Sequence, residues 1–255
     1  LPIKSLIQTE LKVAFDKRFF PFFILIVFIS AGFPFYGIAT YLGGQLFKGG
    51  VPIEFKNQIA AVIESTLLVR FSLTIYLISA WAFIPKLFYS SKESGEVESM
   101  LAVGYSGKKI WFTKALAVML VSATASLPLI LIINFCFRWY IMQSFGITMP
   151  YNILSLVFAF VINPLIVFSL ILFVGGFQLL SDDVRRSSMA VFIIAILNIG
   201  IILGNSNSSS SNNYSLYLVI YGVMLFIVGI IVLWLSKRMD SENILLSSLK
   251  KLKGK

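Results

Sequence analysis

Three carboxylates, Glu93, Glu96 and Glu98, stand within six residues of one another, and Asp182-Asp183 form a second acidic pair. Acids at such spacing are candidates for general acid–base work or for a hard metal ion. The rest of the chain supplies no partner for that chemistry. Histidine is absent, which removes the commonest general base and the commonest zinc ligand. Cys136 is the single cysteine, so neither an internal disulfide nor a cysteine-built metal site can form. A phosphate-binding loop needs Gly-x-x-x-x-Gly-Lys-Ser/Thr. The nearest stretch, Gly104-Tyr105-Ser106-Gly107-Lys108-Lys109, has its glycines too close and a lysine where the hydroxyl belongs. Proteolysis within a membrane needs embedded acid pairs or a nucleophile with its base. The acids here fall in polar breaks instead. The chain is therefore expected to be no enzyme by itself and to hold no cofactor or metal.

What positions these residues is set by composition. Of the 255 residues, 58% are hydrophobic and 15% aromatic, only 13% are charged, and mean hydropathy is +0.91. Soluble domains carry about 25% charged residues, so the solvent for this surface is lipid. Continuous apolar runs of about 20 residues select helices over the alternating strands of a barrel. The expected fold is an all-α integral membrane protein of six spans: Phe19–Tyr41, Leu67–Phe88, Ala115–Phe137, Ile153–Phe177, Met189–Gly204 and Leu216–Leu235. The chain reads as one transmembrane domain over residues 1–255: an interfacial helix over 1–18, the spans over 19–235 and a basic tail over 236–255.

The net charge of +10 does not point to nucleic acid, because the cations gather on one side of this topology. Lys4, Lys12, Lys17 and Arg18 precede the first span. Lys86, Lys92, Lys108, Lys109 and Lys114 flank the second break, Arg185 and Arg186 follow the fourth span, and six more lie in the tail. Only Lys48, Lys56, Arg70 and Arg138 fall opposite. Cytoplasmic loops carry the excess of Lys and Arg, which places both termini in the cytosol of a multi-pass protein of the cell membrane. The Ser/Asn tract over residues 205–213 is then an outer tether.

At the start, Ile3, Leu6, Ile7, Leu11, Ala14 and Phe15 recur at helical spacing, with Lys4, Gln8, Lys12 and Asp16 elsewhere. This is an amphipathic helix too polar to span, expected at the membrane surface against lipid. The polar break after the second span is a second such element. Ser90-x-x-Glu93 matches a capping box, Val97, Met100 and Leu101 form a small apolar ridge, and Gly104-Tyr105-Ser106-Gly107 ends the helix. A short helix with a ridge and flanking acids suits docking into a groove of a soluble protein.

Those residues carry a resemblance. Glu93, Gly95, Val97, Glu98, Met100-Leu101-Ala102, Tyr105 and Ser106 are similar to the signature loop of type-2 ABC transporter permeases, Glu-x-Gly-Thr-(Leu/Val)-Glu-x-Leu-Leu-(Ala/Ser)-x-Pro-(Val/Tyr)-Ser. Glu96 stands where that pattern has Thr and Gly104 where it has Pro. Gln178-Leu179-Leu180-Ser181 resembles the family's inner loop between spans four and five, and the amphipathic start resembles its elbow helix. The resemblance implies a transmembrane subunit of an exporter. A separate ATPase subunit would bind ATP and Mg, and a second permease chain would complete the pathway. It also implies that Glu93, Gly95, Glu96, Val97, Glu98, Met100, Leu101 and Tyr105 seat in that ATPase. For the pathway the candidates are Asn134, Asn163 and Asn198, polar groups within apolar runs; the competing reading for each is an interhelical hydrogen bond. Other functions compatible with the composition are a stand-alone secondary transporter or channel and a membrane scaffold or immunity protein.

Overall fold

The structure, a computed structural model, describes residues 3–14, 53–146, 151–180 and 214–246. Among them every regular element is a helix. Helix α1 is Ile3–Ala14. Helix α2 runs without a break over residues 53–93, and α3 is Glu96–Ala102. Helix α4 is Gly107–Phe145, α5 covers residues 153–180, and α6 is Tyr214–Arg238. A last short helix, α7, covers residues 241–246.

Three helices are long and apolar enough to cross a membrane among the described residues: Ser72–Glu93, Gly107–Ser144 and Ile153–Leu180. They correspond to the second, third and fourth expected spans. α6 contains the stretch expected as the sixth. The first and fifth expected spans lie outside the described residues. The ends differ from expectation. The second span was expected to begin at Leu67, but its helix starts at Ile53, since Glu54, Lys56, Asn57 and Gln58 lower hydropathy without lowering helix propensity.

The core is the seam between α2, α4 and α5. Leu73, Tyr76, Ala80, Phe83 and Leu87 recur at three- and four-residue steps along α2 and are buried. They meet Ala115, Val118 and Val121 of α4 and Ile166, Val167, Ile171 and Val174 of α5. α6 packs on α5, and α1 lies across the first turns of α4. Small residues allow the closest approaches. The Phe88 ring occupies the place a Cβ on Gly175 would need. A Cβ on Gly176 would come within 3.0 Å of Leu235 and 3.3 Å of the Trp111 Nε1. The pair Gly175-Gly176 thus does what small pairs do between membrane helices, letting backbones come together.

α2 and α5 are each interrupted by π-helical turns, Leu67–Phe71 and Phe158–Ile162, which pack against one another. A π turn widens the helix and disturbs its hydrogen-bond ladder. Asn163, fully buried, supplies a donor there: its amide donates to Val69 O at 2.8 Å and to Ser72 Oγ at 2.6 Å. A third π turn, Pro85–Tyr89, begins at a proline, which has no N–H to give the ladder.

Candidate functional site

The polar break folds as two helices, not one. The capping box is corrected by the structure. Ser90 lies inside the continuing helix α2, its hydroxyl donating to Lys86 O, and it caps nothing. α2 absorbs Pro85 in its π turn and continues to Glu93, and Gly95 then turns the chain at φ +75°. Only glycine adopts that region readily. α3 follows for seven residues. It ends in a Schellman motif: Tyr105 N–H donates to Met100 O at 3.1 Å and Gly104 N–H to Leu101 O at 3.0 Å, with Gly104 at φ +93°. A proline, locked near φ −65°, cannot take that position. Ser106 then caps α4, its hydroxyl accepting from Lys109 N–H at 3.4 Å.

The apolar ridge of α3 faces the bundle. Val97 is fully buried, Leu101 packs against the core, and Met100 is half-buried. What α3 and its flanks present outward is Glu93, Ser99, Ala102, Gly104 and Val103, the last 72% exposed. Glu93 accepts from the Tyr89 hydroxyl at 3.0 Å. Glu98 and Tyr105 are half-buried, and the Lys109 ammonium lies 5.5 Å from the Tyr105 ring centre.

Beneath α3 sits a fully buried lysine, Lys114, in the second turn of α4. Its ammonium donates to Glu10 Oε1 of α1 at 2.5 Å and to Ser91 Oγ of α2 at 2.8 Å, and lies 3.7 Å from Glu96 Oε2 of α3. One side chain of α4 thus contacts three other elements. Burial pushes the Glu10 carboxyl above its ordinary range, the adjacent Lys114 pulls it down, and Glu96 adds to the rise. Burial wins because the carboxylate is almost wholly withdrawn from water and the ammonium returns only part of that hydration.

Further contacts tie the same end together. Lys92, nearly buried, donates to Leu179 O at 2.8 Å and so caps the end of α5. Trp111 Nε1 donates to Leu172 O at 2.9 Å. A Cβ on Gly107 would meet Ile244 Cδ1 at 2.6 Å and Met239 O at 2.8 Å, so α7 docks onto the start of α4. Of the basic tail, Met239 and Ile244 are buried, Leu245 is exposed, and the lysines from Lys250 onward lie outside the described residues.

The asparagines are not brought together. Asn163 is an interhelical clamp, Asn134 is half-buried on α4, and Asn198 lies outside the described residues. Cys136 is exposed on α4. At the opposite end, Arg138 of α4 grips Glu64 of α2 through two contacts, 2.5 and 3.0 Å, and stacks on Tyr151, 3.5 Å from the ring centre.

Sequence reasoning missed Glu10 and the role of Lys114. Both left a trace. Glu10 stands three and four residues beyond Ile7 and Leu6, an acid on the apolar stripe of α1. Lys114 interrupts the apolar run that begins at Ile110. An ionisable group in such a place calls for a partner. No family model, curated protein or solved structure matches this chain.

Proposed function

We propose that the chain is the membrane-spanning subunit of an ATP-driven ABC exporter, coupled to a separate ATPase through the break between α2 and α4. The observation that carries this is a seven-residue helix set between two long apolar helices, built from the Glu93–Ser106 motif and showing Glu93, Ser99 and Val103 outward. The amphipathic α1 beside it fits the elbow of such a permease. On this reading the loop end is cytosolic, as its lysines favour. Six spans line a pathway with those of a second chain, and ATP closing the ATPase pair moves α3 to switch access.

The docking surface is the exposed tip of α3, because the apolar ridge is already occupied by the bundle. The test is a gentle-detergent pull-down of the tagged chain from its native host with ATP hydrolysis assayed on the eluate. Wild type should bring down an ATPase that a Glu93→Lys/Val103→Asp variant loses while remaining folded. A stable wild-type chain that captures no ATPase overturns the reading and promotes a secondary transporter or scaffold.

A further inference from the structure

An ammonium has three protons to give. At Lys114 two are accepted at hydrogen-bond distance, by Glu10 and Ser91. Glu96 faces the same nitrogen from 3.7 Å, beyond a hydrogen bond. Charge-assisted bonds of this type close at 2.7–2.9 Å, so a shift of about 0.9 Å would complete the third. Glu10 is 1% and Lys114 0% exposed, whereas Glu96 is 35% exposed. Two of the three charges are therefore fixed in the bundle, and the third rides on α3.

The way α3 is attached makes such a shift available. It is hung between Gly95 and Gly104, both at positive φ, and neither has an atom within 4 Å of where a Cβ would stand. The backbone at both points stands in open space, so a shift of that size meets no packing at the two glycines. Val97 keeps the helix seated on the core while Glu96, its neighbour in sequence, turns toward or away from the lysine.

We propose that Lys114 is a charge latch: Glu10 and Ser91 hold it to α1 and α2, its ion pair with Glu96 at 3.7 Å sets the resting position of α3, and that pair closes to a hydrogen bond when α3 is pressed toward the bundle. Glu96 is then a positioning residue that passes a push on α3 to α1 and α4 together. The inference deepens the coupling reading above and rests on it for the source of the push.

The test is a distance measurement between α1 and α3 in lipid nanodiscs. Spin labels go on cysteines placed at the exposed positions Gln8 and Ala102 in a Cys136→Ser background. The permease alone should give one narrow distance, and Glu96→Gln and Glu96→Thr should each lose it for a broad distribution. These half-exposed substitutions leave the Glu10–Lys114 pair in place, so the fold survives where Lys114→Met threatens it. An unchanged narrow distance in both variants overturns the latch. With the captured ATPase added until it saturates each chain, ATP should shift the wild-type distance and not that of Glu96→Gln. An equal shift in the variant also overturns it. Failure of the wild type to capture an ATPase sinks the coupling reading alone, because the measurement on the isolated permease still decides the latch.

Discussion

At the scale of single residues, Lys114 and Glu10 decide most. Breaking a buried pair by removing one member strands the other charge, at a cost of about 3–5 kcal/mol. Lys114→Met should lower the unfolding temperature in detergent sharply, read by tryptophan fluorescence, and more than the exposed control Lys108→Met. The pH dependence has a definite sign. The Glu10 carboxyl titrates above its unfolded value of 4.5. A raised carboxyl contributes stability that is present below the unfolded pKa and is lost as pH rises through the folded one. Stability of wild type relative to Glu10→Gln should therefore be greatest in acid and fall as pH rises toward neutrality. A thermal-melt series from pH 4 to 7 checks this, and a difference that grows with pH would contradict it. Asn163→Ala leaves the Val69 carbonyl without its donor in a dry seam, and should cost about 1–3 kcal/mol in the same assay.

At the scale of elements, glycine separates contact from mere composition. Gly175→Ala pushes a methyl into the buried Phe88 ring, which must shift within the α2–α5 seam, an overpacking that costs about 1–3 kcal/mol. Gly222→Ala in α6 meets nothing within 4 Å and removes a helix-interior glycine. It should be neutral or stabilising by up to about 1 kcal/mol. Paired melts of the two variants test whether the α2–α5 seam is as close as described. The π turns belong to this scale too. They exist because Asn163 and Pro85 offer partners and omissions that an even α-helical ladder would not accommodate.

At the scale of the whole molecule, length is the informative quantity. At 1.5 Å per residue the 39 residues of α4 extend about 58 Å, well beyond a hydrocarbon core of about 30 Å. The exposed Phe112 and Trp139 are separated along it by about 40 Å, close to the thickness of a bilayer with its headgroups. A membrane of that thickness would leave residues 140–145 beyond it, together with the start of α2 before Glu64, whose carboxylate holds Arg138. Cysteines placed at Gln143 and at Lys108 should react with a membrane-impermeant maleimide from opposite sides of sealed cells, and one at Leu127 from neither. Labelling of Leu127, or of both ends from one side, would refute the crossing.

Much of this was determined by the sequence alone. Lipid as solvent, helices as the only spanning element and the absence of histidine chemistry follow from composition, because burial of backbone and apolar surface is a local demand. The end of the short helix at Gly104 was legible for the same reason, positive φ being a property of one residue, whereas its start after Gly95 was not. The places where helices cross, and what sits at the crossings, were decided by tertiary structure. Ser90 read as a cap because its spacing to Glu93 fits, yet its helix began far upstream. Val97 and Leu101 read as a free ridge because periodicity tells that a face is apolar and not what covers it. Lys114 counted as one more basic residue near a span end. Its meaning depends on Glu10, 104 positions earlier in the chain, and only folding α1 across α4 brings the two charges to 2.5 Å.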